Sequence, residues 1–161
     1  MEQVEILTAV ARAGIKAQWV AEAMKTNDMN QTQRRFIGLT RTALLNIKKP
    51  TLGRYTVRRA IDIQAVIGLI RSEDSQEFIL KVNSQEPNDY LYRGNCFQAL
   101  RQRLLALKPD LKVWTVEGDI SRFRRTKYKK RNNCLRDIDM EAPDRGDLSD
   151  IQILPAQEDQ I

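Results

Sequence analysis

The sequence predicts an α+β fold: a mostly helical N-terminal half carrying a winged helix-turn-helix, and a small strand–helix–strand C-terminal half. Three observations predict it. Apolar residues recur at helical spacing through 2–25 and again through 56–71. Gly38-Leu39-Thr40 sits between two short apolar segments and offers a tight turn followed by a helix cap. Residues 76–117 then run through strand, helix and strand patterns.

In chain order, residues 2–13 place Val4, Leu7, Val10 and Ala11 on one helical face. Gly14 interrupts, and Ile15, Trp19, Val20 and Ala23 continue at helical spacing through 15–25. Residues 26–30, TNDMN, are turn material. Phe36, Ile37, Leu39, Leu44 and Ile47 suit two short helices meeting at Gly38–Leu39, the second running from Thr40 to Ile47. Pro50 and Gly53 allow a small hairpin, or wing, over 48–55. Val57, Ala60, Ile61, Ile63, Val66, Ile67 and Ile70 form a broad apolar stripe, giving a helix over 56–71 capped by Thr56. A strand is expected over 76–83, a loop over 84–94, a helix over 95–108 stopped by Pro109, and a strand over 111–117.

The expected divisions follow. Residues 1–75 form a helical DNA-binding domain with the helix-turn-helix at about 31–55. Residues 76–120 form an α/β dimerisation or accessory region, 121–136 a basic arm, and 137–161 an acidic, flexible tail.

Charge is distributed unevenly. The 161 residues carry 27 basic and 21 acidic side chains, net +6. Residues 137–161 hold eight acids and one base, net −7, so residues 1–136 hold 26 bases and 13 acids, net +13. From Met29 to Ile61 there are eight bases and no acid, so nothing within that stretch neutralises it. Such a body favours a polyanionic partner.

Composition also excludes classes. The chain has no histidine, which removes the Ser-His-Asp triad and the Cys-His dyad. Two cysteines, Cys96 and Cys134, make neither a disulfide framework nor a zinc site. No apolar run approaches a membrane span and the N-terminus lacks a positive leader, so a cytoplasmic protein with no membrane partner is expected. No catalytic residue, metal, cofactor or small-molecule effector is indicated. Glu73, Asp74 and Glu77, and Glu117 with Asp119, lie at element ends, where solvated acids and caps are common.

The expected site is a DNA-binding surface. Arg41 and Asn46 have the donor and acceptor sets for guanine and adenine edges, with Thr40 and Thr42 beside them. Lys48, Lys49 and Arg54 would hold phosphates around that helix, and Arg34, Arg35, Tyr55 and Arg58 belong to the same expected DNA-binding set. Arg122, Arg124, Arg125 and Lys127 open the basic arm, which suits the minor groove.

Gly38-Leu39-Thr40-Arg41-Thr42-Ala43-Leu44 and Gly53-Arg54-Tyr55-Thr56 carry a resemblance. The first resembles the entry to the recognition helix, and the second the wing, of winged helix-turn-helix regulators of the mercury-resistance (MerR) type, over about residues 31–70. Small atypical regulators of this type beside cyanobacterial CRISPR-associated transposons are candidate relatives. The resemblance implies a sequence-specific double-stranded-DNA-binding repressor acting as a homodimer. The alternative is an RNA- or single-strand-binding accessory protein using Trp114, Phe123 and Tyr128 beside the arm at 121–131.

Overall fold

The computed structural model describes residues 2–49, 54–126 and 152–153. It is built on strands. The elements are α1 (Glu2–Arg12), β1 (Trp19–Thr26), β2 (Thr32–Leu39), β3 (Ala43–Lys48), β4 (Thr56–Asp62), β5 (Val66–Ser72), β6 (Glu77–Val82), β7 (Tyr90–Arg93), α2 (Phe97–Leu107), β8 (Lys112–Val116) and β9 (Gln152–Ile153). Single 3-10 turns lie at Ile63–Ala65 and Ser121–Phe123. The strands form one sheet in the order β4-β3-β2-β1-β7-β6-β5-β8-β9. β1 to β4 are an antiparallel meander, β5 to β7 a second, and the pairing of β1 with β7 joins them. The sheet therefore runs through residue 75, where a domain boundary was expected.

The mostly helical N-terminal half is the main correction. Residues 15–25 and 31–47, expected as helices, are β1, β2 and β3, and 56–71 is β4, a 3-10 turn and β5. Among the described residues of 31–70 there is no helix-turn-helix, and the MerR resemblance falls with it. The misleading signals were real but had another use. Thr40 does cap, through its hydroxyl, but it accepts from Thr42 N at 3.1 Å and Ala43 N at 2.9 Å across the β2–β3 turn. That is the same side-chain chemistry as a helix N-cap. Gly38 is not at a turn. It lies within β2 opposite Val20 and Leu45, where an added Cβ would stand 3.2 Å from Ile47 Cδ1. The stripe at 56–71 is rich in β-branched residues, whose stiff χ1 favours strands. It is broad because one segment crosses two strands that share a core.

Nearly every element contributes to that core. Ala23, Ile37, Leu39, Leu44 and Ile61 from the first meander meet Leu69, Phe78, Leu80, Tyr90 and Tyr92 from the second. α2 closes over them with Phe97, Leu100 and Leu104. Leu100 and Leu104 are fully buried, so each truncation to Ala would cost about 2–5 kcal/mol. α1 packs on the other face of β1–β3 through Ile6 and Val10 against Val20, Phe36 and Ile47. On the corresponding face of the second meander, Ile120 and Phe123 cover Ile70, Ile79, Leu91 and Trp114.

β6, α2 and β8 fall on segments expected as strand, helix and strand, but β8 pairs in parallel with β5, not with β6. That pairing needs Gly68. A Cβ there would sit 2.5 Å from the Lys112 carbonyl oxygen and 2.7 Å from the Trp114 ring. The basic arm beyond Thr126, the wing tip at 50–53 and the tail apart from 152–153 lie outside the described residues.

Candidate functional site

Strand alternation places Lys25 on the same face of β1 as Ala23, and Arg35 on the same face of β2 as Ile37. Both therefore lie at the end of the shared core rather than on the α1 face. Arg58 is an extra residue in β4. The β3–β4 register steps from Asn46 opposite Arg59 to Ile47 opposite Val57, leaving Arg58 in the bulge. The three cations sense one another. Burial and then repulsion from Arg35, Arg124 and Arg58 hold the Lys25 ammonium below its ordinary range, against an opposing pull from Asp28. Burial and then Arg58 likewise lower the Arg35 guanidinium. Among the described residues, none of Lys25, Arg35 and Arg58 forms an ion pair. Arg35 donates to the Arg34 carbonyl at 2.8 Å and to Gln33 Oε1 at 2.9 Å, while its Nε is buried without a partner.

Aromatic and polar groups surround these cations. Lys25 Nζ stands 5.4 Å from the centre of the Tyr90 ring, a cation–π contact, and Tyr90 stacks on Tyr92 at 6.4 Å. Arg59 is committed to Glu86 at 2.6 Å. The hydroxyl of Tyr92, which acts on Arg35 electrostatically, is also buried without a hydrogen-bond partner. Beside Lys25 and Tyr90 opens a cavity of about 370 Å³, walled by the β1–β2 turn, from Lys25 to Met29, and by Pro87 to Tyr90. Met29, at the tip of that turn, is 70% exposed. Lys25 lines this cavity with Asp28 and Asp89, while Arg35 and the exposed Arg58 stand outside its lining and act on Lys25 through their charge. A multiply charged anion there relieves the repulsion and takes charge-assisted hydrogen bonds.

The structure scatters the expected DNA-binding set. Arg41 is exposed on the β2–β3 turn, whereas Asn46 is 2% exposed inside β3. Without a recognition helix they present no common reading edge, and this overturns double-stranded DNA as the partner. Arg34 pairs with Glu22 and Glu2, the Glu22 contact holding its guanidinium above its usual range. Lys49 reaches Glu2 at 3.5 Å and lies over the Tyr55 ring. Tyr55 packs edge-on against Phe36. Thr40 and Thr42 belong to the turn, Lys48 ends β3, and Arg54 is exposed ahead of β4. Arg122 lies over its neighbour Phe123 at 4.4 Å, but Arg124 and Arg125 are each 2% exposed. The latter two are not arm residues. Lys127 is outside the described residues. The single-strand alternative loses two of its three stacking residues, since Trp114 and Phe123 are buried in the core, and Tyr128 lies outside the described residues.

Of the expected residues, Arg35 and Arg58 come together. Lys25, Met29, Arg59 and Tyr90 were missed. The available signal was TNDMNQT: a turn-rich segment between two segments, WVAEAMKT and TQRRFIGL, that read equally well as strands.

No family model and no curated protein matches the chain. Among solved structures, it is similar to the Slm1 PH domain in complex with inositol-4-phosphate, at 10% identity and TM-score 0.44, over 59% of this chain and 95% of that one. It is also similar to autoinhibited Vav1, at 16% identity and TM-score 0.39, over 57% of this chain and 17% of that one. Likenesses at this level decide neither family nor function.

Proposed function

We propose that this protein is a non-catalytic module that binds a phosphorylated, anionic headgroup at a membrane surface. The observation that carries the proposal is the convergence of Lys25, Arg35 and Arg58, none of them ion-paired among the described residues, with Asp28 opposing the repulsion at Lys25. Two ionised forks and an ammonium suit the oxygens of a phosphomonoester. The source of that group is a lipid rather than a free metabolite because Met29, an exposed apolar side chain, stands on the rim of the cavity that Lys25 lines. An apolar tip flanked by positive charge suits the headgroup–acyl boundary. This reading departs from the expectation of no membrane partner. It needs no span, and no helix among the described residues is long and apolar enough to make one.

The test is sedimentation with phosphatidylcholine vesicles containing a phosphoinositide, against vesicles of equal charge made with phosphatidylserine, and against soluble inositol phosphate. The phosphoinositide vesicles are expected to bind tightest. Lys25→Ala, Arg35→Ala and Arg58→Ala should each weaken them roughly tenfold, the value of one charge-assisted hydrogen bond. Soluble inositol phosphate binding as tightly as the vesicles would move the assignment to a free phosphorylated ligand. Undiminished binding by the triple variant would sink it.

A further inference from the structure

The geometry points to Arg124 as a positioning residue for this site, acting from a buried strap at the far end of the described chain. This inference rests on the headgroup-binding reading above. Strap residues Phe123 to Thr126 are at most 2% exposed and carry no regular secondary structure after Phe123. A buried segment of that kind needs partners for its polar groups. Arg124 Nε and Arg125 Nε have none, and the Phe123 carbonyl meets Lys81. The other side-chain bonds of Arg124 and Arg125 run to the two loops that wall the cavity and to the strand ends beside them.

Arg124 holds the first wall. Its Nη1 donates to the Thr26 carbonyl at 2.7 Å and to the Asn27 carbonyl at 3.3 Å, and its Nη2 to Asn30 Oδ1 at 3.4 Å. These acceptors lie in the β1–β2 turn, immediately after Lys25 and around Met29. The turn's own bonds are short-range, with Asn27 Oδ1 accepting from Met29 N and Gln31 N at 2.9 Å each. Asn30 holds a φ of 62°, a left-handed conformation that local bonding must maintain. Arg124 supplies the long-range part of that restraint, from 94 to 98 residues away in sequence.

Its neighbour anchors the second wall. Arg125 Nη2 donates to the Glu86 carbonyl at 2.7 Å and the Asn83 carbonyl at 3.1 Å, and Arg125 N donates to Asp89 Oδ2 at 2.8 Å. Glu86 carries the ion pair to Arg59, and Asp89 precedes Tyr90. One strap thus sets the spacing between Lys25 with Met29 on one side and Tyr90 with Glu86 on the other. The basicity of Arg124 is lowered chiefly by burial. Its charge is therefore a cost that the backbone carbonyls offset, not a cation offered to the ligand.

The test uses the full chain carrying Arg124→Met, which keeps the buried stem and removes the fork, and Arg124→Lys, which keeps the charge but cannot span both carbonyls and Asn30. Hydrogen exchange and binding to phosphoinositide vesicles are read together, with thermal unfolding as the check on global structure. In Arg124→Met, the amides of residues 27–31 should exchange at least tenfold faster, while α2 and β6 stay protected. Vesicle affinity should fall roughly tenfold, the size of a lost charged hydrogen-bond set. Arg124→Lys should fall between wild type and Arg124→Met on both readouts, and decides the matter alone where Arg124→Met does not fold. Unchanged exchange at 27–31 overturns the inference, as does faster exchange with undiminished affinity. Wild-type protein that binds no vesicle defeats the headgroup reading instead, and the exchange arm still reports whether Arg124 holds the turn.

Discussion

Asp89→Ala isolates the buried network that fixes the strap. Asp89 is nearly inaccessible, and its carboxylate meets Lys81 Nζ at 2.7 Å, Val82 N at 3.0 Å, Arg125 N at 2.8 Å and Arg125 Nη2 at 3.8 Å. Lys81, itself buried, also donates to the Phe123 carbonyl at 3.0 Å, so the network ties β6 to the strap directly. Removing the carboxylate takes away the close counter-charge of two buried cations and the acceptor of two backbone amides. Loss of one member of a buried pair costs about 3–5 kcal/mol. The amide terms overlap with that figure, because neighbouring interactions do not add. For a chain of this size, that corresponds to a fall in Tm of roughly 6–20 °C. Denaturant unfolding gives the free energy, and calorimetry the Tm. The double variant Lys81→Met, Asp89→Leu should recover only the part of the loss that belongs to Lys81, since Arg125 and the amides of Val82 and Arg125 still lack the carboxylate. A cost under about 1 kcal/mol for Asp89→Ala, well below that range, would refute the view that this network is a coupled anchor.

Three further outcomes follow from the same structure. Gly68→Ala places a Cβ against the Lys112 carbonyl and the Trp114 ring, and should destabilise the protein by about 1–3 kcal/mol, read by denaturant unfolding. Lys25 has a lowered folded pKa, so the folded state binds fewer protons and stability rises with pH between that lowered value and the ordinary 10.5. Anion binding favours the ammonium, so vesicle affinity should fall as pH rises through the lowered value. Titration of Lys25→Arg should be flat over the same range. Cys96 is 6% exposed and burial pushes its thiol up, so in a Cys134→Ser background it should resist alkylation until the protein unfolds.

Part of this molecule was legible in the sequence because some signals are local. α1, α2, β6 and β8 occupy segments whose periodicity or β-branched content is unambiguous over their own length. The first meander was not legible. TQRRFIGL and ALLNIK carry apolar residues on both faces, since α1 covers one side and the core the other. A strand buried on both faces loses the period-2 alternation by which it is recognised. Thr40 and Gly38 then pointed to a helix, because side-chain caps and small residues serve tight turns of either kind.

What the sequence determined by itself was the composition of the problem: a basic body, an acid-free stretch from Met29 to Ile61, an acidic C-terminal segment, and the absence of histidine chemistry. Only the tertiary structure decided which cations meet. Arg34 and Arg35 are neighbours in sequence, yet strand alternation turns one toward Glu2 and Glu22 and the other toward Lys25 and Arg58. Arg122 and Arg124 differ as sharply: one is exposed and the other spans nearly a hundred residues to hold a turn. Charge is written residue by residue, but whether a charge is paired, buried or left facing its like depends on pairings between distant strands, and those are set by the burial of the whole sheet.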